Sequence, residues 1–169
     1  MELEDLYCEI VGELEKKADS RLAEKEMYYH KKVGPNFKVY GIGPFEFARI
    51  LKKYRETFRE LTFEKRMVLA EKFFKSEYGA QMSFGIALLK LNLKHMKPKD
   101  FTILETAGNC LNNWGIVDGF CIEVLQPLLL AHSHETLQLL RKWNQAESLW
   151  KRRASVVVFT RKVGASGKF

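Results

Sequence analysis

Trp114-Gly115-Ile116-Val117-Asp118-Gly119-Phe120-Cys121-Ile122-Glu123-Val124-Leu125-Gln126-Pro127-Leu128 decides the fold. Val117, Phe120, Cys121, Val124 and Leu128 recur at helical spacing, so an apolar stripe runs down a helix predicted over 114–131. Trp114 and Asp118 are four residues apart and share a face at the border of that stripe. A ring and a carboxylate are thus offered together where core meets solvent. Pro127, inside the span, predicts a kink or an early end. A second stretch, Ser148-Leu149-Trp150-Lys151-Arg152-Arg153-Ala154-Ser155-Val156-Val157-Val158, opens a helix predicted over 148–163. Its inward stripe is Val156, Phe159 and Val163. Arg152 and Arg153 both lie near the border of that stripe, and periodicity does not choose between them.

Outward from these two helices the chain is predicted to be helical almost throughout. An amphipathic helix over 3–18 buries Leu6, Ile10, Val11 and Leu14, and a second one runs from Asp19-Ser20 to about Lys32. Gly34-Pro35-Asn36 is a loop. Residues 37–42 alternate like a strand but have no partner, so they are an extended connector. Pro44 opens a helix to about Thr57 with Phe47, Ile50, Leu51 and Tyr54 inward. Thr62 caps 63–77, Gly79 ends that helix, and helices over 80–95, 99–112 and 134–144 complete the set. Short connections group them into antiparallel pairs over 63–95, 98–131 and 134–163, a period of about 35 residues, within the range of helical repeat arrays. The fold class is all-α: a stacked superhelix of such pairs, with an irregular helical bundle as its rival.

Charge is uneven. The net charge is +7 over 169 residues. Residues 1–30 carry nine acids against four Lys/Arg, whereas 141–169 carry eight Lys/Arg against one acid. The C-terminal end is therefore the candidate polyanion surface, unless it is only a solvated helix face. Cys8, Cys110 and Cys121 have no CxxC spacing, which argues for free thiols in a reducing compartment. Of the four histidines only His132 and His134 are close, so no metal site is expected. Neither a membrane-length apolar run nor a signal peptide is read in the sequence.

Trp114 to Asp118, followed by Trp150 to Arg153-Ala154 about one repeat later, resembles the AlkD-like branch of the DNA alkylation repair glycosylases. An earlier Gly41-Ile42-Gly43-Pro44 at the head of an Arg/Lys-bearing helix also fits. The resemblance covers most of the chain, from about Ala23 to Phe169. It implies HEAT-like repeats, in one domain over 1–169, curved around a concave basic face. It chooses Arg153 over Arg152 for a phosphate contact. It adds a DNA-facing tyrosine, matched best by Tyr29 with Tyr28 beside it. Trp150, Lys151, Arg152 and Arg161 join the expected DNA-binding set, and Lys31, Lys32 and Lys38 lie where further phosphate contacts are possible. The expected partner is double-stranded DNA carrying alkylated bases, met by a monomer with no membrane, metal or cofactor, in the cytoplasm at the nucleoid. Two departures stand out. Family members continue for one or two more helical pairs that bring a second pocket tryptophan, and nothing after Arg161 matches it, so the chain reads either as a fragment of a longer protein or as a shortened member. Gly115 also stands where an acidic or polar residue is common.

The chemistry follows from the lesion. A purine alkylated on N3 or N7 is cationic and already a good leaving group. Its removal needs no strong acid, only stabilisation of charge on the sugar and a placed water. Asp118 suits both tasks. Trp114 can lie against the cation, worth about 0.5–2 kcal/mol. The bland alternatives are a packing role for Trp114 and an ion pair between Asp118 and an arginine of the next repeat. Beside the glycosylase stand a helical module that binds nucleic acid without catalysis and a protein-binding scaffold.

Overall fold

The computed structural model describes residues 2–30, 37–160, 163 and 165–168. Among these the regular elements are all helical. Helices α1 (Leu3–Lys16) and α2 (Ser20–His30) come first. They are followed by α3 (Pro44–Lys53), α4 (Arg55–Glu60), α5 (Phe63–Phe74) and α6 (Gly79–Asn92). A 3₁₀ turn at Pro98–Asp100 leads into α7 (Thr102–Cys110). Then come α8 (Trp114–Phe120), α9 (Gln126–Ala131), α10 (Ser133–Asn144) and α11 (Leu149–Val157). The three pairs begin at Phe63, Pro98 and Ser133, so the period read from the sequence holds. Second helices stack on one another, α6 on α8 and α8 on α11, while α5 packs on α7. This arrangement is a helical repeat array.

The core follows the predicted stripe. Val117, Phe120, Cys121, Val124 and Leu128 are all fully buried. Phe120 lies edge-on to Phe74 of α5 and stacks with Trp143 of α10, so the stripe joins three pairs. Pro127 does not end the helix. A π turn over Cys121–Leu125 widens the backbone just before it, and α8 and α9 run on as one helix, Trp114–Ala131. The wider turn accommodates the missing N–H and the ring. This helix is long and apolar enough to cross a membrane, contrary to the reading of the sequence, but half of it is buried inside the protein as a core helix is.

Other expectations need correction. The helix from Pro44 is interrupted at Tyr54, whose backbone loosens between α3 and α4. Gly79 does not end α5. Ser76 takes the Phe73 carbonyl at 2.8 Å, Glu77 turns at φ +67°, and Gly79 begins α6. Helix α11 stops at Val157, because the buried Gln126 side chain donates to the carbonyls of Val158 and Thr160, both at 3.0 Å. Of the predicted stripe Val163 is buried and Phe159 packs against the core, but Val156 is exposed, and Ala154, Ser155 and Val158 face inward. Helix α2 is capped by Asp19, which accepts from the N–H groups of Arg21 and Leu22.

The connector at 37–42 makes a single parallel bridge, Lys38 to Tyr78, and no strand. It is pinned at Gly41, where φ is +70° and an added Cβ would lie 2.1 Å from the Asp19 carbonyl oxygen. Only glycine permits both that backbone and that approach. The connector is thereby held against the start of α2 and runs beside the N-terminal end of α6.

Candidate nucleic-acid interface

Helix α8 starts at Asn113, a buried residue whose side chain accepts the Ile116 N–H at 3.0 Å. That cap fixes where the first turn begins, and so which way Trp114 and Asp118 face. Trp114 is about half exposed (47%). Asp118, one turn on, meets Arg153 of α11. The guanidinium Nε and Nη2 donate to Oδ1 at 3.0 and 2.9 Å, and Nη2 also reaches Oδ2 at 3.0 Å. Both side chains remain about one-third exposed. The helices come this close because Ala154 is small and fully buried, with the Cys121 thiol donating to its carbonyl at 3.5 Å. Burial pushes the Cys121 thiol up to about 12, so no thiolate stands beside the carboxylate. The bonds to Asp118 use Nε and Nη2, leaving Nη1 of Arg153 for another acceptor.

The other residues expected to bind DNA are dispersed. Lys151 lies under the surface, its ammonium 3.0 Å from Glu105 and 5.7 Å from the centre of the Trp143 ring. Arg152 donates to the carbonyls of Ala146 and Glu147, both at 2.7 Å, and so closes the turn between α10 and α11. Trp150 is partly buried and packs against the core. Tyr29 and Tyr28 are both exposed and lie edge-on to each other at 6.2 Å. Lys38 pairs with Glu77 at 2.8 Å. Arg161, Lys31 and Lys32 lie outside the described residues.

Beside Trp114 a groove of about 440 Å³ opens between the connector and the N-terminal ends of α6 and α8. Phe37, Tyr40, Phe47 and Trp114 line it, with Glu26 of α2 as its one charged residue among those described. Glu26 is half-buried, and burial holds its carboxyl above the usual carboxylate range. The Tyr40 hydroxyl, pushed up to about 12 by burial, is neutral and accepts from Gln81 at 2.7 Å. Neither Glu26 nor Asn113 was singled out in the sequence. The cap was findable from Asn followed by an apolar helix; Glu26 carried no signal, because its role depends on where the connector crosses α2.

The model of the DNA alkylation repair enzyme family matches residues 10–165. The chain belongs to that family. A solved structure described as a predicted DNA alkylation repair enzyme from Enterococcus faecalis is similar in fold, with a TM-score of 0.70 at 17% identity. The match covers 85% of this chain and 65% of that one, so this chain spans about two-thirds of that neighbour's length. No curated protein matches it.

Proposed function

We propose that this chain is a monofunctional glycosylase that hydrolyses the N-glycosidic bond of cationic N3- or N7-alkylated purines in double-stranded DNA. It would act as a monomer in the cytoplasm, at the nucleoid, without a metal or cofactor. The observation that carries this reading is the Trp114–Asp118–Arg153 constellation, one ring and one ion pair at a half-open surface of a DNA alkylation repair family member.

The step balances without an acid. The C1′–N bond breaks, its electron pair leaves with the base, and the base departs neutral. Positive charge passes to the sugar, where Asp118 opposes it. Water attacks C1′ and gives up a proton, which Asp118 can receive. Oδ2 accepts one bond from Arg153 where Oδ1 accepts two, so Oδ2 is the oxygen with room for water. Arg153 holds Asp118 in place, and its Nη1 can take a phosphate oxygen at the same time.

The test is release of free methylated base from alkylated duplex DNA. Asp118→Asn should slow it by about 10²–10³-fold, the scale of removing one electrostatic stabiliser, while DNA is still bound. Full activity in that variant would remove the reading. A second reading rests on the same pair, since a carboxylate gripped by a guanidinium also suits a module that binds nucleic acid and does no chemistry. That module would bind DNA and release nothing.

A further inference from the structure

The long helix of residues 114–131 meets α11 at three levels. Asp118 pairs with Arg153, the Cys121 thiol donates to the Ala154 carbonyl, and the Gln126 amide donates to the carbonyls of Val158 and Thr160. Asp118 and Cys121 are about one α-helical turn apart. The step from Cys121 to Gln126 is longer. In an α-helix the fifth residue on is turned away by about 140° and the fourth by about 40°, so Leu125 would follow Cys121 along the face toward α11. The π turn brings Gln126 there instead. Its N–H bonds to the Cys121 carbonyl, and the added residue brings the two side chains into line. Pro127 explains why the helix loosens here. It does not explain why the loosening delivers a buried glutamine, 7% exposed, with its amide spent on two carbonyls just past the end of α11.

Arg153 stands midway along α11, whose start is fixed by the Ser148 cap and by Arg152. Gln126 fixes the other end. An ion pair as exposed as Asp118–Arg153 is too weak to hold two helices in register by itself. The register has to be imposed from the buried side. We propose that Gln126 is a positioning residue: delivered by the π turn, it locks the end of α11 and so sets how Arg153 grips Asp118. It acts through Arg153 and does not itself meet substrate. Its effect on base release rests on the glycosylase reading, but its effect on the ion pair does not.

The experiment uses the whole chain and two readouts. The first is the NMR signal of the Arg153 Nε–H, identified by its loss in Arg153→Lys. The second is single-turnover release of base from alkylated duplex DNA, with DNA affinity measured separately. In Gln126→Met, which keeps the shape and removes the donor, hydrogen exchange at Arg153 Nε should quicken by about tenfold or more, the scale of one charge-assisted bond. Base release should fall by about 10–10²-fold, as for a displaced catalytic group, while affinity, shared among several phosphate contacts, falls far less. Gln126→Asn, whose amide stops one carbon short, carries the same test if Gln126→Met does not fold. Ile10→Val, a mild core truncation on α1, should leave both readouts unchanged. Unchanged exchange at Arg153 in a folded Gln126 variant overturns the proposal. So does an equal change in Ile10→Val, or full release by a variant that has lost the bond. A wild type that releases no base sinks the glycosylase reading alone, because exchange at Arg153 still decides whether Gln126 sets the pair.

Discussion

Asp118 sits between two helices and answers to both. Its ion pair with Arg153 is the alternative that the sequence left open beside the catalytic one, and the geometry allows one carboxylate to serve both ends. Because each partner is about one-third exposed, solvent screens the pair, and Asp118→Asn should lower stability by only about 1 kcal/mol. Phe120→Ala, from a fully buried ring, should cost about 3–5 kcal/mol. Thermal melts of the two variants separate these outcomes; an equal loss would make Asp118 a structural residue. Glu26 gives the opposite sign. Burial raises its folded-state pKa, so the protonated form is favoured in the native protein. Its contribution is fully present below the unfolded pKa and is lost as pH rises through the folded one. Glu26→Gln should therefore stabilise the protein at pH 7 and not at pH 4, a difference that melts at the two pH values would read. The residues on α8 were legible because a helix face is fixed by spacing. Glu26 was not, because its groove is completed by the connector and by the starts of α6 and α8, more than fifty residues on.

Between elements, the joint that ties α7 to α10 and α11 is a cluster around Glu105. It accepts from Lys142 at 2.7 Å, Trp143 Nε1 at 3.1 Å and Lys151 at 3.0 Å. Burial pushes its carboxyl up, but the three donors outweigh this and hold it below the ordinary range. The stabilisation is present above the unfolded pKa and lost as pH falls through the folded one. Glu105→Gln should cost about 1–3 kcal/mol near neutrality and much less in acid, by chemical denaturation at each pH. Gly108 belongs to the same joint, since an added Cβ would lie 2.5 Å from the fully buried Trp143 ring. Gly108→Ala should destabilise by about 1–3 kcal/mol through overpacking. Helix existence and pairing were readable from period and punctuation. The ends of α5 and α11 were not, because Ser76 and Gln126 stop them through side-chain bonds that propensity does not encode. The π turn before Pro127 was likewise invisible, being a compromise between one ring and a buried stripe.

At the scale of the whole molecule, the +7 of residues 141–169 overstates the charge that DNA would meet. Lys142 and Lys151 pair with Glu105, and Arg153 with Asp118, so part of that charge is neutralised within the chain, although Lys142 itself stays exposed. Binding to duplex DNA should therefore fall with salt with a log–log slope of about −3, a few phosphates and not eight. A salt-independent affinity would set aside DNA as the partner. The array packs α11 against α8, and these two helices supply the ion pair. The most direct measurement of the central claim is release of free base from duplex DNA carrying 7-methylguanine or uracil, with and without borohydride, by the wild-type chain and Asp118→Asn. The expected result is release of 7-methylguanine by the wild type, little release by Asp118→Asn, no uracil excision and no trapped protein–DNA adduct, since no lysine stands beside Trp114 or Asp118 in the sequence. Efficient uracil excision, a borohydride-trapped adduct, or an Asp118→Asn chain as active as wild type would contradict it.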